Sequence, residues 1–317
     1  MTKIAIIVDA ACDLPAAFIA ENKLFVLPFN VLTADKSVLD NGTPQSKEAL
    51  YQSHIRNKSS DFATTAVIPT YEIESYFYQH IVFKFDAAIF ISVSASRSLM
   101  FEQMQQAWTG MAVSVFGQRQ KQGLSGKFDC HIVDSKNMGP GQGLLAYAAV
   151  AALKVSQDVQ QVLQFVERTR DTLFTYGVAD DLLYVYTRAK QKNENSITWG
   201  KYTLANVLNL KPILRFHAGQ SSTVGRGRGF EGALEQVVSH VQAKLVASDV
   251  RIALINVSFA GDLEVFMQSQ QWKRLEHIAM LHHVALFLSH MSVTLAVHVG
   301  ADAIMLAVSS GGNHADL

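Results

Sequence analysis

Cysteine is nearly missing from this chain of 317 residues: only Cys12 and Cys130 are present. Two cysteines build no disulfide framework, and no CxxC or Cys/His ligand spacing accompanies them. A reduced, cytoplasmic setting is the expectation. Charge of one sign is missing too. Lysine plus arginine number 27, aspartate plus glutamate number 27, and the formal net charge is zero. Phosphate backbones are held by basic surfaces, so nucleic acid is not expected as a partner. No apolar stretch approaches the ~20 residues of a membrane span, so no integral membrane segment is expected. The chain enters its first strand with no charged n-region or cleavage site, so no secretory leader is expected. HExxH, GxSxG and GxxxxGK[ST] are all absent. The eleven histidines are scattered, with only His282 and His283 adjacent. Neighbours on a helix or strand point to different sides, so a metal is not expected. There are no internal repeats or low-complexity tracts.

What is present is apolar and periodic. The chain is 49% hydrophobic and long enough for two domains with a substantial core. Ile4 to Val8 ends on Asp9. Ala88 to Val93 ends on Ser94. His131 to Val133 ends on Asp134 and Ser135. Short continuous apolar runs alternating with helical segments read as parallel strands buried on both faces. The fold class is therefore α/β. In such sheets ligands bind at the carboxyl ends of the strands.

Between these strands, Asp13 to Ala20 reads as a helix capped by Asp13, with Pro15 in its first turn. Leu24 to Leu32 is extended and interrupted by Pro28. Ser46 to Arg56 is a helix with Ser46 as its cap. Thr64 and Thr65 fall in a loop, and Pro69 with Thr70 opens a helix to about His80. A long helix spans Ser98 to Gln118, with Met100, Met104, Ala107, Met111 and Val115 on one stripe. That stripe is either plain core or the wall of an apolar cavity, since methionine adapts to flexible ligands. Leu144 to Val155 is a very apolar helix. The Gly139-Pro-Gly-Gln-Gly143 stretch before it is spaced GxGxG rather than GxGxxG, which favours a tight turn over a phosphate cradle.

A boundary near 155–160 separates the second half. Helices are expected near 158–170, 180–190, 200–208, 230–246 and 261–270, and strands near 211–216, 251–257 and 302–308. Lys190 to Ser196 is a polar loop. Gly219 to Gly229 is a glycine-rich stretch carrying Arg226 and Arg228, which suits solvent, an anion or a partner's acidic face. Ser309 to Leu317 is expected to fray.

The chemistry-bearing residues form a hydroxyl cluster: Thr64 and Thr65 in one loop, Ser92, Ser94, Ser96 and Ser98 after the second strand, Ser135 after the third. Ser98 suits a helix cap. Ser94, at a strand end, is the better functional candidate. His298 precedes Gly300 in an expected loop. Ser94 with His298 would also suit a serine hydrolase or acyltransferase, a reading that needs an orienting acid and an oxyanion hole.

Six stretches together resemble the DegV family of bacterial fatty-acid-binding proteins. IAIIVDAACDLP is similar to the family's first strand, with Asp9 and Asp13-Leu14 matching and Ala10 in place of serine. ATTAVIPTYEIESYF resembles its Thr-Ser-Gln-Pro loop, with Thr64 at the threonine. IFISVSASRSLMFEQMQQA resembles its Ser-rich strand end, with Ser94 and Ser98 retained. CHIVDSKNMGPGQGLLAYAAVAA is similar to its Asp-Ser strand end and Gly-x-Gly helix start. LNLKPIL with Val224-Gly-Arg226 matches its second-domain strand, and HVGADAIML its terminal His-Thr-Gly-Pro-Gly segment, with His298 in place. The resemblance implies a two-domain fold, 1–157 and 158–317, with the ligand site between them. It implies a non-catalytic carrier of one long-chain fatty acid and no cofactor. The carboxylate would be gripped by Thr64, Thr65, Ser94, Ser98 and His298, and the tail would run past Met100, Met104 and Met111. It further implies a fatty acid kinase as partner, for which Arg226 and Arg228 are candidate contacts. Another amphipathic acid remains an alternative ligand.

Overall fold

The computed structural model describes residues 2–33, 36–43, 48, 51, 63–191, 209–246 and 254–309. The expected helices over 46–56 and 200–208, most of the polar loop over 190–196 and the tail after Ser309 lie outside these residues.

The first sheet is built from the three apolar runs and one short strand. Its strands are β1 (Ile4–Asp9), β2 (Phe25–Leu27), β6 (Ala87–Ser92) and β7 (Asp129–Asp134), in the order β2-β1-β6-β7 and all parallel. Pro28 ends β2, and the chain leaves for a second, antiparallel sheet of β3 (Phe29–Leu32), β4 (Ser37–Asp40) and β5 (Thr64–Val67), ordered β4-β3-β5. Thr64 and Thr65, read from sequence as loop residues, are thus in a strand. The third sheet takes β8 (Leu173–Val178), β9 (Leu210–His217), β10 (Gln220–Arg228), β11 (Leu254–Phe259), β12 (Ala285–His290) and β13 (Ile304–Ser309), in the order β10-β9-β8-β13-β11-β12. Only β11 and β12 pair in parallel within it.

The structure departs from the sequence reading in three places. The Gly219 to Gly229 stretch, which sequence marks only as glycine-rich with two arginines, forms an edge strand. Its outward residues are exposed and polar, so no apolar periodicity marks it. Ala218 (φ +51°) and Gly219 (φ +79°) form the two-residue turn that joins it to β9, as a tight hairpin turn with two positive φ angles requires. Asp13 is also misread: the first helix is Ala16–Glu21 and starts from Pro15 with no side-chain cap. The expected 261–270 helix is two, Leu263–Met267 and Gln270–Leu281, divided by Ser269, whose hydroxyl accepts from the Trp272 N–H.

The helix Pro140–Leu153 explains how the first and third sheets are joined. Eleven of its 14 residues are buried, so it has no solvent face. A helix apolar all round must be enclosed. It packs on β1 and β6 on one side and on β8, β11 and β13 on the other. Ile6, Val8, Ile89 and Ile91 of the first sheet and Leu254 and Ala307 of the third share one core with it. The GxGxG spacing follows from this enclosure. A Cβ at Gly143 would overlap the Asp13 carbonyl oxygen and lie 2.7 Å from Asn256 Nδ2, and one at Gly141 would lie 2.5 Å from Thr175 Oγ1. The glycines admit the second half of the chain rather than a phosphate.

Candidate functional site

Polar groups cluster where the strands of the first sheet end, as the fold class leads one to expect. Most are committed to the backbone. The Asp9 carboxylate accepts from the N–H groups of Val93 (2.7 Å) and Ala11 (3.1 Å). Burial pushes its pKa up to about 6, against the opposing effect of the Val93 N–H, the Gln142 side chain and the Ala11 N–H. The Asp134 carboxylate accepts from Lys136 (2.8 Å) and Ala95 (3.1 Å). Ser135 Oγ donates to the Asn137 carbonyl (2.9 Å) and accepts its N–H (3.1 Å). Together these bonds pin the loop that carries Ser94.

Ser94 itself is buried. Its N–H donates to the Asn137 carbonyl (2.8 Å), and its Oγ lies 3.0 Å from Ser96 Oγ. Ser96 Oγ donates to the Gly219 carbonyl (2.8 Å), the Gly219 N–H donates to the Lys136 carbonyl (2.8 Å), and Arg97 donates to Ser221 Oγ (2.6 Å). The turn of the β9–β10 hairpin thus sits directly on the serine loop. Ser98 Oγ accepts the Met100 N–H (3.2 Å) at the start of the helix Met100–Lys121.

A second polar contact joins distant parts of the chain. Thr65 Oγ1, on β5, lies 3.0 Å from His298 Nε2. Strand residues alternate faces, so Thr65 rather than its neighbour Thr64 meets the imidazole. His298 is not in a loop. It occupies the last turn of the helix Val293–Val299, ended by Gly300 at φ +89°.

Two buried carboxylates fix this short helix. The Asp13 carboxylate accepts the Ser292 N–H (2.7 Å), and the Asp40 carboxylate accepts the N–H (3.1 Å) and hydroxyl (2.9 Å) of Thr294. The first-turn N–H groups of a helix lack intrahelical acceptors, and its dipole favours negative charge there. Tyr51 Oη donates to the Met291 carbonyl and Tyr184 Oη to the Val297 carbonyl, both at 2.8 Å. Sequence reading missed Asp40 and Thr294 entirely, because neither stands in a motif and their partners are 254 residues apart.

Met100, Met104 and Met111 are fully enclosed in the apolar cluster that holds Ile7, Phe77 and Phe90. Met138 packs on that cluster and also on the one formed by Val31, Leu295 and Val297, beside the Thr65–His298 pair. Arg226 and Arg228 are both exposed, two residues apart on the same face of edge strand β10. Cys12 and Cys130 form no disulfide with each other, and burial pushes the Cys130 pKa up to about 12, which keeps it protonated. Among the described residues no group of three or more His, Cys, Asp or Glu is placed to hold a metal. None of the described helices is long and apolar enough to cross a membrane.

Fold and site define a two-part α/β protein with a shared buried helix and a hydroxyl–imidazole pair between distant segments. The comparisons with known proteins agree with the fold. The family model described as "Uncharacterised protein, DegV family" matches residues 3–310. A DegV domain-containing protein of Xanthomonas campestris pv. campestris is 27% identical over 308 residues, covering 97% of this chain and 98% of the relative. Among solved structures, a fatty acid (stearic acid)-binding protein from Eubacterium ventriosum superposes with a TM-score of 0.76 at 16% identity, covering 98% of this chain and 99% of that one. A DegV family protein from Thermus thermophilus, described by its fatty acid binding, superposes with a TM-score of 0.71 at 20% identity, covering 97% and 99%. The chain belongs to the DegV family.

Proposed function

We propose that this protein binds one long-chain fatty acid without catalysing a reaction on it, and that its carboxylate is held at the Thr65–His298 pair. The observation that carries this reading is the 3.0 Å contact between those two side chains, beside a continuous apolar region. A carboxylate accepts from a hydroxyl and from an imidazole N–H, and these neutral donors satisfy it without a permanent counter-charge. Burying a C16 tail gains roughly 12 kcal/mol at about 0.8 kcal/mol per methylene, before ordering costs. An unpartnered buried carboxylate would forfeit much of that. Thr64, Ser94 and Ser98 complete the polar neighbourhood in this reading. Met100, Met104 and Met111 border the tail, reached past Met138.

A hydrolase would join its nucleophile to its base by a hydrogen bond. His298 Nε2 meets Thr65, and Ser94 Oγ meets Ser96, an arrangement that favours binding over acyl transfer. The finer reading is that a fatty acid kinase phosphorylates the bound carboxylate, docking on the β10 edge through Arg226 and Arg228. The test is lipid extraction from purified protein together with thermal melting in added palmitate. Extracted fatty acid and a raised Tm are expected; neither appearing would sink the proposal. In the same assay Met104→Ala shifts the preferred acyl length, and Arg226→Glu with Arg228→Glu lowers phosphorylation by a fatty acid kinase while sparing binding.

A further inference from the structure

His298 stands one residue before the end of a helix of seven, and a side chain from elsewhere grips the backbone around it. Tyr184 belongs to the helix Leu182–Gln191, which follows β8 and packs on the helix Val293–Val299. Its Oη donates to the Val297 carbonyl at 2.8 Å. Carbonyls in the last turn of a helix have no intrahelical donor, so the phenol supplies what the short helix cannot. The Val297 carbonyl shares one rigid peptide plane with the His298 N–H. Holding it fixes the direction in which the His298 side chain leaves the backbone.

The same ring acts on the other side of His298. A Cβ at Gly300 would lie 3.0 Å from the Tyr184 ring, and Gly300 has φ +89°. A glycine therefore stands where the chain turns out of the helix against that ring. Tyr184 is itself well held. The Asp181 carboxylate caps its helix by accepting the Tyr184 N–H (3.0 Å). Lys211 on β9 fixes the preceding residue, through an ion pair with the Asp180 carboxylate (3.2 Å) and a bond to the Asp180 carbonyl. A strand thus anchors the loop, the loop anchors Tyr184, and Tyr184 anchors the backbone of His298. Asp13 and Asp40 fix the start of the short helix, and Tyr184 fixes its end. Hydrogen bonds weaken steeply with misalignment. Thr65 and His298 come from opposite halves of the chain, so both backbones must be fixed for the two to meet one carboxylate.

We propose that Tyr184 is a positioning residue for the head-group site: its hydroxyl sets His298 so that the imidazole and the Thr65 hydroxyl converge on the fatty acid carboxylate, which Tyr184 itself does not touch. This inference rests on the fatty acid reading. The test is Tyr184→Phe in the full chain, which removes one oxygen and keeps the ring. Histidine ring signals are followed by NMR without ligand, the His298 signal being assigned by its loss in His298→Ala. Palmitate affinity and Tm are measured on the same samples. The His298 ring signal should move, and affinity should fall about fivefold, the worth of one neutral hydrogen bond. In a His298→Ala background, Tyr184→Phe should lower affinity no further, because its effect passes through the imidazole. A lowered Tm with the His298 signal or the affinity unmoved would mark a merely structural bond and overturn the proposal. An equal further loss in the His298→Ala background would place Tyr184 on the ligand and also overturn it. If palmitate fails to bind the unmodified chain, the fatty acid reading falls and this inference with it.

Discussion

The two halves of the chain meet in two polar zones that differ in kind. At the serine loop, the β9–β10 turn supplies the partners: the Gly219 carbonyl and N–H close onto Ser96 and Lys136, and Ser221 onto Arg97. These groups satisfy one another within the protein. At the Thr65–His298 pair, the contact is a single bond between side chains, and one of them rides on a helix of seven residues. That helix is too short to hold itself. Its direction comes from Asp13 and Asp40 in the first half. The first zone is a clamp. The second is a pair of polar groups held ready by carboxylates that do not belong to it.

The strongest way to break this contrast is Gly143→Ala. The added methyl has nowhere to go between Asp13 and Asn256, so both zones should separate together. A loss of about 3 kcal/mol or more is expected in denaturant unfolding, the range for overpacked cores. Asp40→Asn separates the zones instead. It leaves the serine loop alone but removes one charged acceptor from Thr294 or Gly42, at a cost of about 2 kcal/mol. Fatty acid affinity should fall with it, because His298 loses its fixed position. Thr65→Val sharpens the comparison further. It keeps the shape, removes one hydroxyl, and should weaken fatty acid binding about tenfold with little change in Tm, whereas Ser94→Ala should weaken it less.

The smallest effect concerns pH. The folded-state pKa of Asp9 is raised from 3.8 to about 6, so the folded protein binds its proton more tightly than the unfolded chain does. This contribution is fully present below 3.8 and is lost as pH rises through about 6. Stability should therefore gain about 1 kcal/mol from this group between pH 7 and pH 5. Asp9→Asn removes that component, which melting curves across the range will show.

The first sheet was legible because β1 and β6 are buried almost throughout and read as apolar runs, while the edge strand β7, mostly half-buried, shows only the short run to Val133. The enclosed helix was legible for the same reason, although the reason for its glycines was not: Gly141 and Gly143 face residues 175 and 256, far along the chain. β10 escaped detection because an exposed edge strand needs no apolar pattern. β12 and β8 escaped because turn signals around them are weak. At the site, residue types were readable and pairings were not. Whether Thr64 or Thr65 faces His298 depends on the register of β5 against β3, which sets parity and has no local signature. Asp13 looked like the cap of its own helix, but its carboxylate instead accepts the N–H of Ser292, the cap of the helix Val293–Val299.

Native mass spectrometry of the purified protein, alongside its Thr65→Val and His298→Ala variants, bears most directly on the main claim. The account predicts one adduct with the mass of a C16 or C18 acid on the unmodified chain, diminished in both variants. An unmodified chain that carries no such adduct even after incubation with palmitate, or variants that retain it undiminished, would contradict the assignment of the carboxylate to Thr65 and His298.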